Sequence, residues 1–411
     1  MNIEELSKFG ARKGLSLIGT GDFSHPLWNK ELKEKLGKGS DGIYTYNNMK
    51  FVLTNEISLI YSQGGRGRKV HLLFMAPDFE VVDQINDWLK KKGRVDYDGR
   101  PIFGMSCPEF TEKLMEISRD NFIVPAHCMT PWFGIFGSMS GFDSVEECFQ
   151  DQSKHIHALE TGLSADPPML WRISSLDRFS FISNSDSHSP WPSRIGRECN
   201  LFNLGRLTYR AVIDAIKSKD PSRFTCTIEV DPSYGKYHFD GHRACNISMS
   251  PQEAKKRNNI CPVCGKPLTI GVLHRVEELA DRSDGYTPSN AIPFRRLLPL
   301  AELIAGKYRT APLSKKVTEA ERRFIDAFGS ELCTLTDAPY EELKKIDDGL
   351  AELIIRNREE KLEVIPGYDG VYGIPVIGGN EKEIMKERAK KIPAVKKTRG
   401  SGRGQKSLAD F

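Results

Sequence analysis

Residues 19–26 read Gly-Thr-Gly-Asp-Phe-Ser-His-Pro, and they follow a short apolar run of strand type at residues 15–18. The polarity changes abruptly here, and Asp22 and His25 stand three residues apart in a loop of Gly, Ser and Pro. A carboxylate and an imidazole at the carboxyl end of a strand are suitable ligands for a catalytic metal ion. One such pair is weak support, so the prediction of a metal site depends on whether the rest of the chain repeats the pattern.

The composition of the 411 residues is that of a soluble globular protein, with 39% hydrophobic and 28% charged residues. This length predicts two or three domains. No apolar run approaches the ~20 residues of a membrane helix and the acidic N-terminus is unlike a signal peptide, so no membrane partner is expected. Nine cysteines without a disulfide-like framework suit a reducing, cytoplasmic location. The net charge of +4 does not by itself establish nucleic-acid binding.

Short apolar runs alternate with amphipathic segments from residue 1 to about residue 225. This alternation predicts an α/β domain with a parallel sheet or barrel. Residues of metal-binding type accompany the apolar runs; besides Asp22 and His25 they are Glu56, His71, His127, Asp186 and His188. In a barrel of parallel strands these side chains would converge on one face. Each alone is more often a structural or surface residue, so the prediction rests on the joint pattern.

Three segments carry a resemblance to a known family: residues 19–26, residues 125–132 (Pro-Ala-His-Cys-Met-Thr-Pro-Trp) and residues 184–188 (Asn-Ser-Asp-Ser-His). They resemble successive metal motifs of the PHP (polymerase and histidinol phosphatase) superfamily. Over nearly its whole length the chain is similar to one branch of it, endonuclease Q, a DNA-repair nuclease of archaea and some bacteria. The resemblance implies a PHP-type distorted (β/α)7 barrel at residues 1–225, holding two or three divalent ions (Zn, Mg or Mn).

The resemblance also implies how the ligands are shared among the ions. The implied groups are Asp22, His25 and His188 for one ion; Glu56, His71 and His127 for another, with Glu56 bridging; and Asp186 assisting a third. Clustered divalent ions generate hydroxide from bound water and neutralise charge on a scissile phosphate. The catalytic group would therefore be a metal-activated water, and no side-chain nucleophile is expected.

The family pattern opens with an Asp-Leu-His-x-His-Ser strand, and nothing like it precedes Asp22 in this chain. The expectation is therefore a barrel whose first strand is missing from the sequence. One explanation is a reading frame that begins too late, at an internal Met; the other is a natural truncation with an impaired site. The first is favoured, because every other motif is intact and unselected motifs decay.

Two further stretches of the barrel domain could contact DNA. The Gly/Arg stretch at residues 61–68 carries Arg66 and Arg68, whose guanidinium groups match phosphate oxygens, although a flexible hairpin loop is an equally good interpretation. Trp132 opens an aromatic run at residues 132–136 that could stack beside a flipped nucleotide, and core packing is as plausible. The sequence leaves both alternatives open.

Residues 226–285 contain two knuckles of identical internal spacing, one with His242 and Cys245 and one with Cys261 and Cys264. The Cys-Pro-x-Cys-Gly sequence of the second knuckle is typical of a zinc-binding turn. Two knuckles about fifteen residues apart predict a small zinc-ribbon domain with a tetrahedral Cys3His site. All four positions are filled by the protein, so this zinc is expected to be structural. His238 is the alternative fourth ligand.

The last third of the chain divides into two parts. Residues 286–378 are predicted to form a mainly helical DNA-binding region, with apolar faces of helical period at residues 318–329 and 339–357. Residues 379–411 are rich in Lys and Arg and then in Gly and Ser, which predicts a disordered tether. The tether ends in a Gln-x-x-Leu-x-x-Phe pattern that resembles the peptide docking on PCNA-type sliding clamps; its residues are Gln405, Leu408 and Phe411.

These features favour a metal-dependent DNA endonuclease. By resemblance it would cut double-stranded DNA 5′ to a deaminated base (uracil, hypoxanthine or xanthine) or an abasic site, while tethered to a sliding clamp. One alternative is a PHP-type phosphatase acting on a small phosphorylated metabolite, which would have no use for the zinc segment or the basic tail. The other is a non-catalytic protein that binds DNA and the clamp.

Overall fold

The computed structural model describes residues 2–38, 41–97 and 99–377 of the chain. Its α-helices are α1 (Ile3–Lys13), α2 (Pro26–Lys35), α3 (Phe79–Lys92), α4 (Cys107–Ile117), α5 (Val145–Phe149), α6 (Pro167–Trp171), α7 (Tyr209–Ser218), α8 (Pro251–Lys256), α9 (Val272–Leu279), α10 (Leu300–Tyr308), α11 (Lys315–Phe328), α12 (Glu331–Thr336), α13 (Tyr340–Ile346) and α14 (Asp348–Arg358). Short 3₁₀ helices occupy Gln150–His155, Ser174–Leu176, Pro232–Tyr234 and Arg243–Cys245.

The strands are β1 (Leu17–Gly19), β2 (Gly37–Lys38), β3 (Tyr44–Tyr46), β4 (Met49–Gln63), β5 (Arg66–Ala76), β6 (Ile102–Phe103), β7 (Phe122–Pro125), β8 (Ala158–Glu160), β9 (Ser180–Ile182), β10 (Cys199–Phe202), β11 (Phe224–Glu229), β12 (Asp240–His242), β13 (Ile247–Met249), β14 (Phe294–Arg296), β15 (Val364–Ile365) and β16 (Ile374–Pro375). Strands and helices alternate through the first half of the chain, which confirms the predicted α/β class.

The main sheet is mixed, which differs from the parallel sheet that the alternation predicts. Its order is β2-β3-β4-β5-β7, and β1 and β6 also pair with β4, both of them in parallel. By contrast β5 is antiparallel to both β4 and β7. The reason lies in the turn between β4 and β5, where Gly64 and Gly65 have φ of 61° and 73°. A tight turn in this left-handed conformation joins neighbouring strands only in the antiparallel sense.

A second sheet crosses the predicted domain boundaries. Strand β11 runs through the boundary expected at residues 225/226, and it pairs antiparallel with β10 and parallel with β14. Strand β14 belongs to the region expected to begin at residue 286. All three of the predicted segments therefore contribute residues to the second sheet. Shared sheet hydrogen bonds hold these segments together, and sequence composition does not reveal them.

Separate hydrophobic cores lie under the sheet and among the C-terminal helices. Large side chains buried around β4 and β5 include Phe23, Phe51, Phe74 and Phe110, and α9 adds Val272 and Val276 to the same cluster. The C-terminal helices bury a different set that includes Leu300, Phe324, Leu343 and Ile354. A buried ion pair of 2.8 Å between Lys13 and Glu331 connects α1 to α12. The predicted mainly helical character of this region is confirmed.

The single helix expected at residues 339–357 is interrupted at Asp347, whose carboxylate accepts a hydrogen bond of 2.9 Å from the Leu350 amide and caps α14. Across residues 2–38, 41–97 and 99–377, no helix combines the length and the apolar composition that crossing a membrane requires. The clamp-type peptide at residues 405–411 lies outside the described residues.

Candidate metal centre

Glu56, His71 and His127 come together because β4, β5 and β7 lie side by side. The β4–β5 register places Glu56 opposite Leu73 and Ser58 opposite His71. Glu56 and His71 are therefore diagonal neighbours on one face of the hairpin. His127 follows the end of β7, the other neighbour of β5. The antiparallel pairing of β5 with β4 and β7 is thus what brings the carboxylate to the imidazoles, and its first part matches the hairpin that the sequence left open at residues 61–68.

The ligand atoms of these three residues converge on one point. His71 Nδ1 lies 3.0 Å from His127 Nε2. Glu56 Oε1 lies 3.3 Å from His71 Nδ1 and 3.6 Å from His127 Nε2. Nitrogen and oxygen ligands held tetrahedrally at about 2.1 Å from a metal ion lie about 3.4 Å from one another. The spacing and the donor types therefore fit a divalent ion.

The electrostatics of the three residues also suit a metal site. Burial lowers the pKa of His71 to about 4, so its imidazole is neutral at pH 7, the form that binds metal. Burial alone would raise the pKa of Glu56, but Arg100 and the two histidines hold it well below its usual range. Burial would lower the pKa of His127, yet its contact with Glu56 raises it overall. The cluster thus presents an ionised carboxylate and at least one neutral imidazole.

Thr130, Glu160 and Gly162 position His127. The Thr130 hydroxyl lies 2.8 Å from His127 Nδ1 and can donate to the His127 carbonyl at 3.0 Å, so its oxygen can accept a hydrogen bond from Nδ1–H. That tautomer leaves Nε2 free to bind a metal ion. Glu160 Oε2 accepts a 2.7 Å hydrogen bond from the His127 amide. At Gly162 a Cβ would lie 2.6 Å from His127 Cβ, so the approach needs glycine.

Phe133 supports His71 from the opposite side. Its ring stacks on the imidazole at 4.2 Å with an interplanar angle of 25°, and its carbonyl accepts a 2.9 Å hydrogen bond from the His71 amide. The backbone of Phe133 is left-handed, with φ of 65°. Sequence reasoning missed this role, and the only signal for it is the aromatic run directly after the His127 motif.

Left-handed backbone marks three of the predicted ligands. Asp22, His127 and Asp186 have φ of 42°, 32° and 41°. Non-glycine residues adopt this conformation at a cost of about 1–3 kcal/mol, and such residues concentrate at functional sites. The chain therefore holds these three side chains in place by tertiary contacts rather than by backbone preference.

Asp186 and His188 lie beside this trio rather than in it. His188 Nε2 is 3.4 Å from Asp186 Oδ1, and Arg100 Nη2 is 2.6 Å from the same oxygen. Burial would raise the pKa of Asp186, but Arg100 and His188 lower it overall. Burial raises the pKa of Asp22, an effect that Glu56 reinforces and that Arg100, His188 and His25 partly offset.

The predicted ligands therefore share one neighbourhood, but they are not equally close. Within the described part of the chain, Asp22, His25, Asp186 and His188 do not form a further compact group of three ligand atoms. Arg100, which the sequence analysis did not single out, lies between the two halves of the site. Its only sequence signal is a cation between Gly99 and Pro101, directly before β6.

The two arginines expected to contact DNA differ in their exposure to solvent. Arg66 is exposed near the tip of the β4–β5 hairpin. Arg68 is buried: it pairs with Glu147 at 2.9 Å, donates to the Gly141 carbonyl, and lies 4.0 Å over the Phe142 ring. The expectation that Arg68 contacts DNA is therefore corrected, because its donors are used inside the protein.

Trp132 is half-buried, and Lys69 Nζ lies 5.3 Å from the centre of its ring. Lys69 Nζ also lies 5.6 Å from the centre of the Phe133 ring, which stacks on His71, so this pair of side chains neighbours the candidate metal ligands. The placement is compatible with either role that the sequence leaves open for Trp132.

A second ligand cluster contains His242, Cys245, Cys261 and Cys264, whose ligand atoms all lie within 4.8 Å of one another. His242 ends β12, and Cys245 ends the following 3₁₀ turn. The Cys261 carbonyl accepts the Gly265 amide at 2.9 Å, which closes the second knuckle. All the cysteines are free thiols rather than disulfides. Three sulfurs and one imidazole at this spacing fit a tetrahedral zinc ion.

His238, the alternative fourth ligand, lies elsewhere. It is buried and stacks on Phe239, and the structure gives its Nδ1 no hydrogen-bond partner among the described residues. Burial lowers its pKa to about 4. The structure therefore places His242, and not His238, in the Cys3His cluster.

Comparison with known proteins finds a family model for the C-terminal helices and a relative that matches a longer stretch of the chain. A family model described as the MJ0043 C-terminal domain matches residues 299–361, which hold α10 to α14. The chain is 35% identical over 252 residues to an uncharacterised protein, MJ0043, of Methanocaldococcus jannaschii. That match covers 60% of this chain but only 31% of MJ0043, so this chain spans about a third of that relative.

Two solved structures resemble the chain over nearly its full length. One is the lesion-specific endonuclease PfuEndoQ of Pyrococcus furiosus, with a TM-score of 0.81, 33% identity and 94% of each chain covered. The other is endonuclease Q with a 27-mer duplex that carries an abasic lesion at the active site, with a TM-score of 0.83, 34% identity, and 94% and 93% covered. Identity of this degree over nearly the whole of both chains confirms the resemblance that the sequence indicates: this protein belongs to the endonuclease Q family.

Proposed function

We propose that this protein is a metal-dependent, lesion-specific DNA endonuclease of DNA repair. It hydrolyses the phosphodiester 5′ to a deaminated base (uracil, hypoxanthine or xanthine) or an abasic site in double-stranded DNA. The observation that supports this most is the 34% identity, over 94% of the chain, to an endonuclease Q that holds a duplex with an abasic lesion. The cluster of Glu56, His71 and His127 supports the metal dependence independently, because its atoms fit a divalent ion.

Each side chain of the site has a part in the proposal. Glu56, His71 and His127 hold one divalent ion, and Asp22, His25, Asp186 and His188 supply the ligands for one or two more. Such ions, when bound, lower the pKa of water and neutralise negative charge on the scissile phosphate. The protein contributes rigidity: Thr130 and Glu160 orient His127, and Phe133 holds the ring of His71.

The remaining parts of the chain serve DNA binding in this proposal. The Cys3His cluster holds one structural zinc ion that keeps the two knuckles together. Arg66 contacts backbone phosphates from the exposed hairpin tip, and Trp132 lies beside the displaced nucleotide. The segment containing Gln405, Leu408 and Phe411 docks on a PCNA-type clamp; deletion of residues 405–411 should abolish clamp-stimulated binding, and unchanged stimulation would contradict this part.

The test is a nicking assay on end-labelled duplexes that carry one deoxyinosine, deoxyuridine or abasic site, with the unmodified duplex as the control. Purified protein is incubated with Mg²⁺, Mn²⁺ or Zn²⁺, or with EDTA. The expected result is a single cut 5′ to the lesion on the lesion strand, which EDTA abolishes. Equal cutting of the unmodified duplex would contradict lesion specificity.

Two other outcomes would favour the alternatives. Hydrolysis of small phosphate monoesters without any nicking of lesion DNA would favour a phosphatase. Lesion binding without nicking under all three ions would favour a non-catalytic DNA-binding protein. Because each outcome is read from the same protein preparation, the three functions are separated directly.

A further inference from the structure

Arg100 places a permanent positive charge in the middle of the proposed metal centre. It lies in the turn between α3 and β6, and its side chain is only 18% exposed. Its Nε lies 2.6 Å from Glu56 Oε1, and its Nη2 lies 2.6 Å from Asp186 Oδ1. The Nη2 atom is also 3.4 Å from His188 Nε2. One guanidinium group therefore bridges the two halves of the site.

The contact between Arg100 and Glu56 uses the oxygen that faces the two histidines. Glu56 Oε1 lies 3.3 Å from His71 and 3.6 Å from His127, besides its 2.6 Å contact with Arg100. An ion held by Glu56, His71 and His127 would thus compete with the guanidinium for the same carboxylate oxygen. Two cations repel one another strongly at such distances inside a protein.

The geometry of this contact is that of an ion pair without an aligned hydrogen bond. Within the described residues, neither Arg100 Nε nor Glu56 Oε1 has a hydrogen-bond partner of good geometry, although both are buried. An arginine with a purely structural role normally has its donors used, as Arg68 does here. Arg100 donates from Nη2 to Asp186 Oδ1 at 2.6 Å, but its Nε donor is held close to Glu56 without an aligned hydrogen bond and is therefore available to a better-shaped acceptor.

We propose that Arg100 is a phosphate-binding catalytic residue: its guanidinium leaves Glu56 when a metal ion binds there and then binds the scissile phosphate. This inference rests on the proposed function. A phosphodiester has two unesterified oxygens, which the planar fork of arginine matches, and the substrate brings this anion to the ions. The charge stays on the guanidinium throughout, and it stabilises the negative charge that develops on the phosphate.

The first test measures competition with the metal ion and needs no substrate. Mn²⁺ binding is measured by calorimetry for the wild type, for Arg100→Gln and for Arg210→Gln, an exposed arginine paired with Asp214 on α7. Arg100→Gln should bind Mn²⁺ about tenfold more tightly, because the competing cation is gone. Arg210→Gln should bind as the wild type does. Weaker or unchanged binding by Arg100→Gln would contradict displacement of the guanidinium by the ion.

The second test asks whether Arg100 contacts the scissile phosphate. Affinity is measured at 4 °C in Ca²⁺ for an abasic duplex with a normal scissile phosphate and for one with an uncharged methylphosphonate there. The neutral linkage should weaken binding to the wild type about tenfold more than binding to Arg100→Gln. Arg100→Lys should show an intermediate difference, because lysine keeps the charge but not the fork. An equal penalty in the wild type and Arg100→Gln would overturn the proposal.

These tests separate the failure of this inference from the failure of the proposed function. A wild type that does not nick lesion DNA contradicts the proposed function. The affinities for the normal and methylphosphonate duplexes still decide whether Arg100 contacts the phosphate. If the wild type does nick, Arg100→Gln should lower kcat about 100-fold, with partial recovery in guanidinium chloride. A normal kcat in Arg100→Gln would overturn the catalytic role.

Discussion

The two clusters of candidate metal ligands differ in the way the chain brings their side chains together. The Cys3His cluster takes its ligands from two short knuckles within residues 242–264, each closed by local turns. The cluster of Glu56, His71 and His127, called the sheet cluster below, takes its ligands from three different strands or strand ends. The first cluster depends on local sequence and the second on the pairing of β4, β5 and β7.

They differ in chemistry as well. The Cys3His cluster has four protein ligands, so a zinc ion there would have no free position for a substrate. The sheet cluster has three ligand atoms within 3.6 Å, and Arg100, Asp186 and His188 lie around it. A closed site is suited to holding a fold together, and an open, charged site is suited to a reaction. The predictions below test this division of roles.

The largest expected effect is on activity. Glu56→Gln should lower kcat for lesion nicking by about 10³-fold or more, because the central anionic ligand is lost. One equivalent of zinc should remain in the Cys3His cluster, measured by metal analysis. The matched control is Glu34→Gln, an exposed glutamate on α2, which should keep full activity. Near-normal nicking by Glu56→Gln would show that the sheet cluster takes no part in the reaction.

The second effect is on stability. Cys264→Ser should remove one equivalent of zinc and lower the free energy of unfolding by about 3 kcal/mol or more, followed by thermal unfolding. Cys264 is exposed, so lost packing does not account for such a change. The control is Cys333→Ser, another exposed cysteine, which should unfold as the wild type does. Unchanged zinc content in Cys264→Ser would show that this cluster does not bind the ion.

The third effect is on the number of protons that each cluster releases when it binds zinc. Burial and the neighbouring thiols raise the pKa of Cys245 to about 11, so this thiol must lose a proton to bind zinc at pH 7. In the sheet cluster, His71 with a pKa of about 4 is already neutral, and His127, whose pKa its contact with Glu56 raises, is the one group that could release a proton. Zinc affinity of the Cys3His cluster should therefore fall as pH is lowered from 8 to 6, more steeply than that of the sheet cluster.

Calorimetry in buffers of different ionisation enthalpy measures this difference. Glu56→Gln isolates the Cys3His cluster, and Cys264→Ser isolates the sheet cluster. On the order of two protons should be released by the first and at most about one by the second. Equal release from both would contradict the assigned protonation states.

The smallest expected effect distinguishes Arg66 from Arg68, two arginines of the same Gly/Arg stretch. Arg66→Ala should weaken DNA binding two- to fivefold, roughly, and make its salt dependence shallower by about one unit, because one phosphate contact is lost. Arg68→Ala should instead lower the free energy of unfolding by about 1–3 kcal/mol, since Glu147 and the Gly141 carbonyl lose a donor. Filter binding against salt and thermal unfolding measure the two. A change in salt dependence for Arg68→Ala would restore it as a DNA contact.

Much of the local structure follows from the sequence because the signals are local. In α3 the apolar residues Val82, Ile85 and Leu89 recur at helical spacing, and Asp78 caps the helix by accepting a hydrogen bond of 2.9 Å from the Val81 amide. Strand β7 is a short apolar run, Phe122–Pro125, all four residues of which are buried. The direction of β5 could not be predicted from strand–helix alternation, because it depends on a Gly-Gly turn rather than a crossover helix. Arg100 and Phe133 escaped prediction because nothing in their local sequence marks contact with Glu56 or His71.

By itself, the sequence determined the α/β class, the helical C-terminal region, the resemblance to endonuclease Q and the two knuckles around Cys245 and Cys261. These features are encoded in periodicity and in fixed spacings, which act over a few residues. Only the tertiary structure decided that the main sheet is mixed and that Glu56, His71 and His127 come together. It also decided that Arg68 is buried and that Arg100 contacts Glu56. The physical reason is that strand pairing and desolvation join residues far apart in the chain, and no local pattern records which of them meet.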